Sequence, residues 1–281
     1  MTVLSIFLVS IIQGITEFLP VSSSGHLILL PVLSGLKDQG QTADVAAHLG
    51  TLAAVILYLR GTLMAMLFSF LPSAGAKKTT HLQAERRLAG LLIIASLPVI
   101  CVGLVVELLS PSVLRLAVSV AVANIVFAVW LYLADQRPVR HNLHIAADQF
   151  DWSALTMRQA ILIGGAQIFA LFPGASRSGV TMTMARQLGL DRLSAARFSL
   201  LLSIPVIGGA AVLKLAGLIT SDQSPDIAAL AGIIVLSFLF ALGAIRWMMG
   251  WLAKASFTIF VVYRLGLGLI LLGLIASGVI S

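Results

Sequence analysis

Three stretches of this chain, residues 88–106, 116–134 and 227–245, each run for 19 residues without an Asp, Glu, Lys or Arg. About 20 apolar residues in helical form cross the ~30 Å hydrocarbon layer of a bilayer. Only helices and closed barrels satisfy their backbone there. The runs are continuous rather than alternating, so they predict helices. Composition agrees: 59% of the residues are hydrophobic and 10% charged, against about 25% charged in a soluble domain. Mean hydropathy is +1.05.

Six full spans are predicted, at roughly 41–60, 87–108, 112–134, 193–217, 226–248 and 256–280. Two further apolar stretches fit no simple span. Residues 2–33 are interrupted by Gly14-Ile-Thr-Glu17-Phe-Leu-Pro20-Val-Ser22-Ser23-Ser24-Gly25-His26, and residues 156–190 by Phe172-Pro-Gly174-Ala-Ser176-Arg177-Ser178-Gly179. Pro, Gly and Ser clusters end helices. Broken backbone at membrane depth persists only inside protein or beside a water cavity. The prediction is two re-entrant helix–loop–helix hairpins. Shifting the chain by 154 residues superposes Gln13 on Gln167, Phe18 on Phe172, Ser22 on Ser176, Ser24 on Ser178 and Gly25 on Gly179. Three apolar spans follow each hairpin. The expected fold is therefore all-α and membrane-integral, one transmembrane domain over 1–281, with six transmembrane helices plus the two hairpins. Repeat one covers about 1–135 and repeat two about 156–281, and an odd number of spans between the hairpins makes the repeat inverted, with a site near the midplane.

The net charge of +7 does not read as nucleic-acid binding. Thirteen Lys and Arg fall in the 60–87 and 135–158 stretches, around the second hairpin and between the last two spans, the pattern of a cytoplasmic face. Cys101 stands alone in an apolar run, so no internal disulfide forms. Residues 1–19 lack a basic start and a cleavage signal and are read as mature protein.

An ionisable group at membrane depth is a functional hypothesis by default. Glu17, His26 and Arg177 meet that test. Gln13 and Glu17 are four apart and share a helix face, an oxygen pair suited to Mg²⁺ or Ca²⁺. The hydroxyls of Ser22, Ser23 and Ser24 precede an imidazole, and a hydroxyl near a histidine can be an activated nucleophile. In the second loop, small residues such as Gly174 let the backbone approach an anion. Successive N–H groups there, with Ser176 and Ser178 and the planar fork of Arg177, suit phosphate. Together the loops read as phosphoryl transfer. Each serine also has a structural reading, since Ser is common at helix breaks and contacts. Asp44 and His48 could line the cavity mouth or be solvated at the interface, and are left out of the site. Arg264 reads as a snorkelling or paired residue at the end of the last helix, and Asn124 as an interhelical bond.

The segments Gln13–His26 and Phe172–Gly179 resemble, in order and separation, the two signature regions of the undecaprenyl-diphosphate phosphatase family, also called bacitracin-resistance proteins. The resemblance extends over the whole chain. It implies an enzyme of the bacterial plasma (inner) membrane, multi-pass, that removes a phosphate from undecaprenyl diphosphate and so recycles the lipid carrier of cell-wall synthesis. It implies a divalent cation, Mg or Ca, and a site open to the periplasmic, outer side. The expected partners are the polyprenyl diphosphate and membrane lipid, not nucleic acid, with a homodimer as an open assembly state. By position, Glu17 takes the acidic role toward metal or diphosphate, with Gln13 four residues earlier, where the family accepts Glu or Gln. Ser23 takes the proposed nucleophile's place, His26 that of the proton donor or rival nucleophile, and Arg177 that of the diphosphate clamp beside Ser176. The amide at Gln13 leaves one carboxylate in the motif, so the diphosphate itself must supply much of a cation's coordination. The alternative reading is a polyprenyl-phosphate transporter or flippase, because inverted repeats with broken helices are also transporter architecture.

Overall fold

The computed structural model describes residues 2–35, 40–71, 79–109, 116–140, 144–146, 149–150, 152–219 and 226–280. Eleven α-helices run through them: α1 (Val3–Thr16), α2 (Ser23–Ser34), α3 (Gly40–Tyr58), α4 (Arg60–Ser69), α5 (Thr79–Leu109), α6 (Ala117–Asp135), α7 (Met157–Ala166), α8 (Arg177–Gln187), α9 (Arg192–Ile219), α10 (Ile227–Leu252) and α11 (Thr258–Ala276). A minimal antiparallel pair of strands, β1 (His144–Ala146) and β2 (Gln149–Phe150), sits between α6 and α7. It is a small departure from the expected all-α chain.

Five helices are long and apolar enough to cross a membrane, α5, α6, α9, α10 and α11, and six if α3 and α4 count as one broken span. α3 stops at Tyr58, where the apolar run reaches Arg60, and α4 leaves at 73°. The sequence read 60–87 as a loop; instead α4 is a helix, tied back by Arg197 Nη2 donating to Thr62 Oγ1 at 3.0 Å. The predicted 112–134 span begins at Ala117, and residues 111–115 lie outside the described residues. Leu67, Ile93, Leu133, Val212, Leu239 and Leu269 stand largely exposed on helix surfaces. An apolar surface of that extent needs lipid as its solvent.

Helix starts follow local chemistry. Thr2 Oγ1 accepts from Ser5 N–H at 3.2 Å at the start of α1, and Asp226 caps α10 through Ala229 N–H at 3.1 Å. Thr156 and Gln159 form a reciprocal capping box on α7, satisfying two otherwise orphaned N–H groups.

α1 packs along α10 and α3, and α7 along α5; α3 crosses α9, and α6 pairs with α11. Small residues set these approaches. A Cβ on Gly14 of α1 would lie 2.5 Å from the Phe240 side chain of α10, and one on Gly164 of α7 would lie 2.0 Å from the Ala95 carbonyl of α5. The two interrupted helix pairs, α1/α2 and α7/α8, are thereby pressed into the bundle. Phe18 of the first break is fully buried in a core shared with Ala95, Met182, Phe198 and Ile245.

At one end of the bundle, Asp135 of α6 accepts from Arg186 Nε (3.2 Å), from Arg192 Nε (2.8 Å) and Nη2 (3.1 Å), and from the Phe257 N–H (3.2 Å). This buried acid ties the ends of α6 and α8 to the starts of α9 and α11.

Candidate active site

The breaks at 17–22 and 172–176 have the same local form. Ser22 and Ser176 are the non-glycine residues with positive φ among the described residues, at 74° and 72°. Each begins a helix: Ser22 Oγ accepts from Gly25 N–H at 3.3 Å and Ser176 Oγ from Gly179 N–H at 3.1 Å. Left-handed backbone costs a non-glycine residue about 1–2 kcal/mol, and the caps and packing hold both serines there.

The loops meet. Arg177 Nη2 donates to Glu17 Oε1 at 3.3 Å across 160 residues of sequence, and its Nη1 donates to the Ser199 carbonyl at 3.1 Å. The guanidinium also lies 5.6 Å from the centre of the Phe18 ring. Glu17 Oε2 accepts from Gln13 Nε2 at 2.9 Å and from Ser23 Oγ at 2.8 Å. Ser178 Oγ donates to the Leu19 carbonyl at 2.8 Å and contacts Ser176 Oγ at 3.1 Å. Glu17, Gln13, Ser23, Arg177, Ser176 and Ser178 thus belong to one connected polar group inside the bundle. The backbone of Ser24 lies in the first turn of α2, but its side chain lies outside the described residues.

His26 is placed differently. The sequence puts its imidazole near the hydroxyls, yet Ser23 Oγ is turned to Glu17. His26 Nδ1 is 2.6 Å from the Ser22 carbonyl and Nε2 is 2.5 Å from the Tyr263 hydroxyl of α11. Glu17, not His26, is therefore the group in reach of the Ser23 proton.

Three residues outside the expected set join the site. His48 of α3 brings Nε2 to 3.8 Å from Glu17 Oε2, while its Nδ1 is 2.7 Å from the Asp44 carbonyl. Arg264 of α11 does not snorkel: it is fully buried, and its Nη2 donates to the Gly174 and Ala175 carbonyls, both at 2.9 Å. With those carbonyls turned to Arg264, the second loop is braced from behind. Gly174 is required there, because its φ is 95° and a Cβ on it would lie only 2.5 Å from the Val120 carbonyl. Tyr263 is the third. For Arg264 and His48 the signal in the sequence was an ionisable group inside an apolar helix; Tyr263 gave none.

A divalent cation has candidate ligands here. Gln13 Oε1 is buried without a hydrogen-bond partner, Glu17 offers a carboxylate, and His48, with Nδ1 against the Asp44 carbonyl, has its Nε2 turned to Glu17. Among the described residues there is no cluster of three His, Cys, Asp or Glu, so these donors fit a cation only as a partial shell that a phosphate ligand must complete.

A family model described as "Bacitracin resistance protein BacA" matches residues 6–270. The chain belongs to this family. Among curated relatives, a protein of Jannaschia sp. (strain CCS1) is 44% identical over 280 residues, covering 97% of this chain and 98% of its own. One from Ruegeria pomeroyi is 43% identical over 281 residues, covering 99% and 100%. One from Alteromonas mediterranea is 39% identical over 272 residues, covering 97% and 98%. Each is named undecaprenyl-diphosphatase.

Proposed function

We propose that this protein is a membrane phosphatase that hydrolyses undecaprenyl diphosphate to the monophosphate and inorganic phosphate, in the bacterial plasma membrane. The observation that carries the reading is the Glu17–Arg177 pair, with the Ser23 hydroxyl on the same carboxylate. It puts a nucleophile, its base and a phosphate-binding cation at one point. The three relatives carry a hydrolase's name and none a transporter's. An intramembrane site suits this substrate, because the prenyl tail stays in lipid while the head group enters.

Arg177 and the N–H groups that open α8 hold the diphosphate. Ser23 Oγ attacks the terminal phosphorus as Glu17 takes its proton, and the bond to the bridging oxygen breaks, releasing the lipid monophosphate. Water then attacks the phosphoserine; His26 receives the proton of that water, and Ser23 leaves with the proton held by Glu17. His26 returns its proton to solvent. A divalent cation, Mg or Ca, would be held by Glu17 and Gln13 with His48 beside them, and supplies neutralisation of diphosphate charge. Ser22, Ser176 and Ser178 shape the loops, and Gly174 admits the backbone's close approach.

The two hairpins are read as re-entrant, entering from opposite faces in an inverted repeat. Supporting this are the paired serines at positive φ and the matching close packing of α1 on α10 and of α7 on α5. The Arg-rich end is read as cytoplasmic, and the site as opening to the periplasmic side.

Acid quenching during turnover tests the serine route. A phosphorylated Ser23 peptide in the wild type, with neither it nor turnover in Ser23→Ala, is the expected result. Wild-type release of phosphate by Ser23→Ala would remove Ser23 from the chemistry.

A further inference from the structure

His26 is held on both of its nitrogens. The Ser22 carbonyl can only accept, so the short contact at 2.6 Å places the proton of the neutral ring on Nδ1. Nε2 is then a bare acceptor, and the partner at 2.5 Å is the Tyr263 hydroxyl, which must donate. The two rings also lie nearly parallel, 12° apart with centroids at 5.7 Å. One contact fixes the tautomer, a second fixes the direction of Nε2, and the stacking fixes the plane.

Each support is itself anchored. The Ser22 carbonyl faces residue 26 because Ser22 precedes α2 and its oxygen also accepts from the His26 N–H at 3.4 Å. Tyr263 is carried on α11, whose next residue, Arg264, is clamped to the second loop through Gly174 and Ala175. α11 is pressed close on α6 at Gly268, where a Cβ would lie 2.6 Å from the Ile125 side chain. Adjacent residues of one helix therefore hold one hairpin each: Tyr263 the first, Arg264 the second. A phenol that donates its proton to Nε2 keeps the lone pairs of its oxygen free to accept.

We infer that Tyr263 is the positioning residue of His26, and that protons reach His26 Nε2 through the Tyr263 hydroxyl. The inference rests on the phosphatase reading for what those protons do. In the second step the attacking water gives a proton to Tyr263 Oη while the Tyr263 proton passes to Nε2. The imidazolium formed is held at Nδ1 by the Ser22 carbonyl. No proton is lost or gained beyond the one His26 later returns to solvent.

Tyr263→Phe keeps the stacked ring and deletes only the O–H. A general acid–base group contributes about 10²–10⁴-fold, and His26 remains present in the variant, so we expect kcat to fall about 10–100-fold with KM for a polyprenyl diphosphate within about twofold of wild type. A purely structural tyrosine would not give that split. The second readout needs no turnover. In protein labelled with ¹⁵N-histidine, the His26 signals, assigned by their loss in His26→Gln, should report the Nδ1–H tautomer with a hydrogen-bonded Nε2, and Nε2 should shift in Tyr263→Phe. An unchanged kcat in an active enzyme, or ¹⁵N signals identical in the two proteins, overturns the inference and leaves the phosphatase standing. A folded wild type that releases no phosphate overturns the phosphatase reading instead, and the ¹⁵N result then still decides whether Tyr263 holds the ring.

Discussion

Removing the Glu17 carboxylate strands a buried guanidinium. The side chains of Arg177 and Glu17 are only 12% and 7% exposed, so water cannot replace the lost partner. Arg177 would keep the Ser199 carbonyl and the Phe18 ring face, neither of which carries charge. Breaking a buried ion pair from one side costs about 3–5 kcal/mol. For chains of 150–250 residues each kcal/mol moves the melting midpoint by about 2–4 °C, and longer chains move less. Glu17→Leu should therefore lower the midpoint of the detergent-purified protein by about 6–10 °C, and Arg177→Met by a similar amount for the mirror reason. The double variant removes both charges. Replacing a whole buried pair by apolar groups is often neutral or stabilising, although Gln13 and Ser23 each lose an acceptor worth about 1 kcal/mol. Its midpoint should fall within about 3 °C of wild type, while its phosphatase activity stays absent. Thermal scanning of the four proteins measures this cycle. Single variants within 2 °C of wild type, by the same ~2–4 °C per kcal/mol conversion, or a double variant that loses the sum of both, would refute the pair as the joint between the two broken helix pairs.

Other perturbations read out neighbouring parts. Asp135→Ala leaves Arg186 buried without its carboxylate partner and should cost about 3–5 kcal/mol, seen as a lowered midpoint, with KM unchanged in whatever protein remains folded. Arg264→Lys keeps the charge but replaces the planar guanidinium, whose Nη2 donates to both the Gly174 and Ala175 carbonyls, with a point donor on a different stem; steady-state kinetics should show KM for the diphosphate raised by about tenfold, the equivalent of one charge-assisted hydrogen bond. Gly174→Ala combines left-handed backbone, about 1–2 kcal/mol, with a clash against the Val120 carbonyl. It should lower both the midpoint and activity, because the displaced loop carries Arg177.

The helices were legible because charge-free runs are local signals. Arg60 and Asp135 stand at the ends of such runs, whereas the caps at Thr156 and Asp226 emerged only from the structure. The breaks were legible because Pro20 with three serines, and Pro173 with Gly174, cannot continue a helix. The partners were not. Periodicity tells which face of a helix is apolar, not what lies against it, so the contact of His26 with Tyr263, 237 residues away, left no trace in either segment. For Arg264 the sequence left snorkelling and pairing open for a related reason, and the structure gives the pairing: a lone Arg near a helix end looks the same whether it reaches water or the carbonyls of a distant loop. His48 was seen but not used, because its four-residue spacing from Asp44 suggested a mouth, whereas the approach of α3 to α1 sets its imidazole beside Glu17. The 73° bend after Tyr58 had only Arg60 as a sign, and a charge at a span's end predicts an interface more readily than a turn.

The two broken helix pairs, α1/α2 and α7/α8, bring Glu17 and Arg177 together, and on the proposed reading that joint site hydrolyses a lipid diphosphate. The most direct test of that reading is release of inorganic phosphate from a C55 polyprenyl diphosphate by the purified, lipid-supplemented protein, with Mg²⁺ and then with a chelator, alongside Glu17→Ala and Arg177→Ala. Chelator-sensitive release that disappears in each variant is the predicted result. No release from the folded wild type, or release by both variants at the wild-type rate, would contradict it.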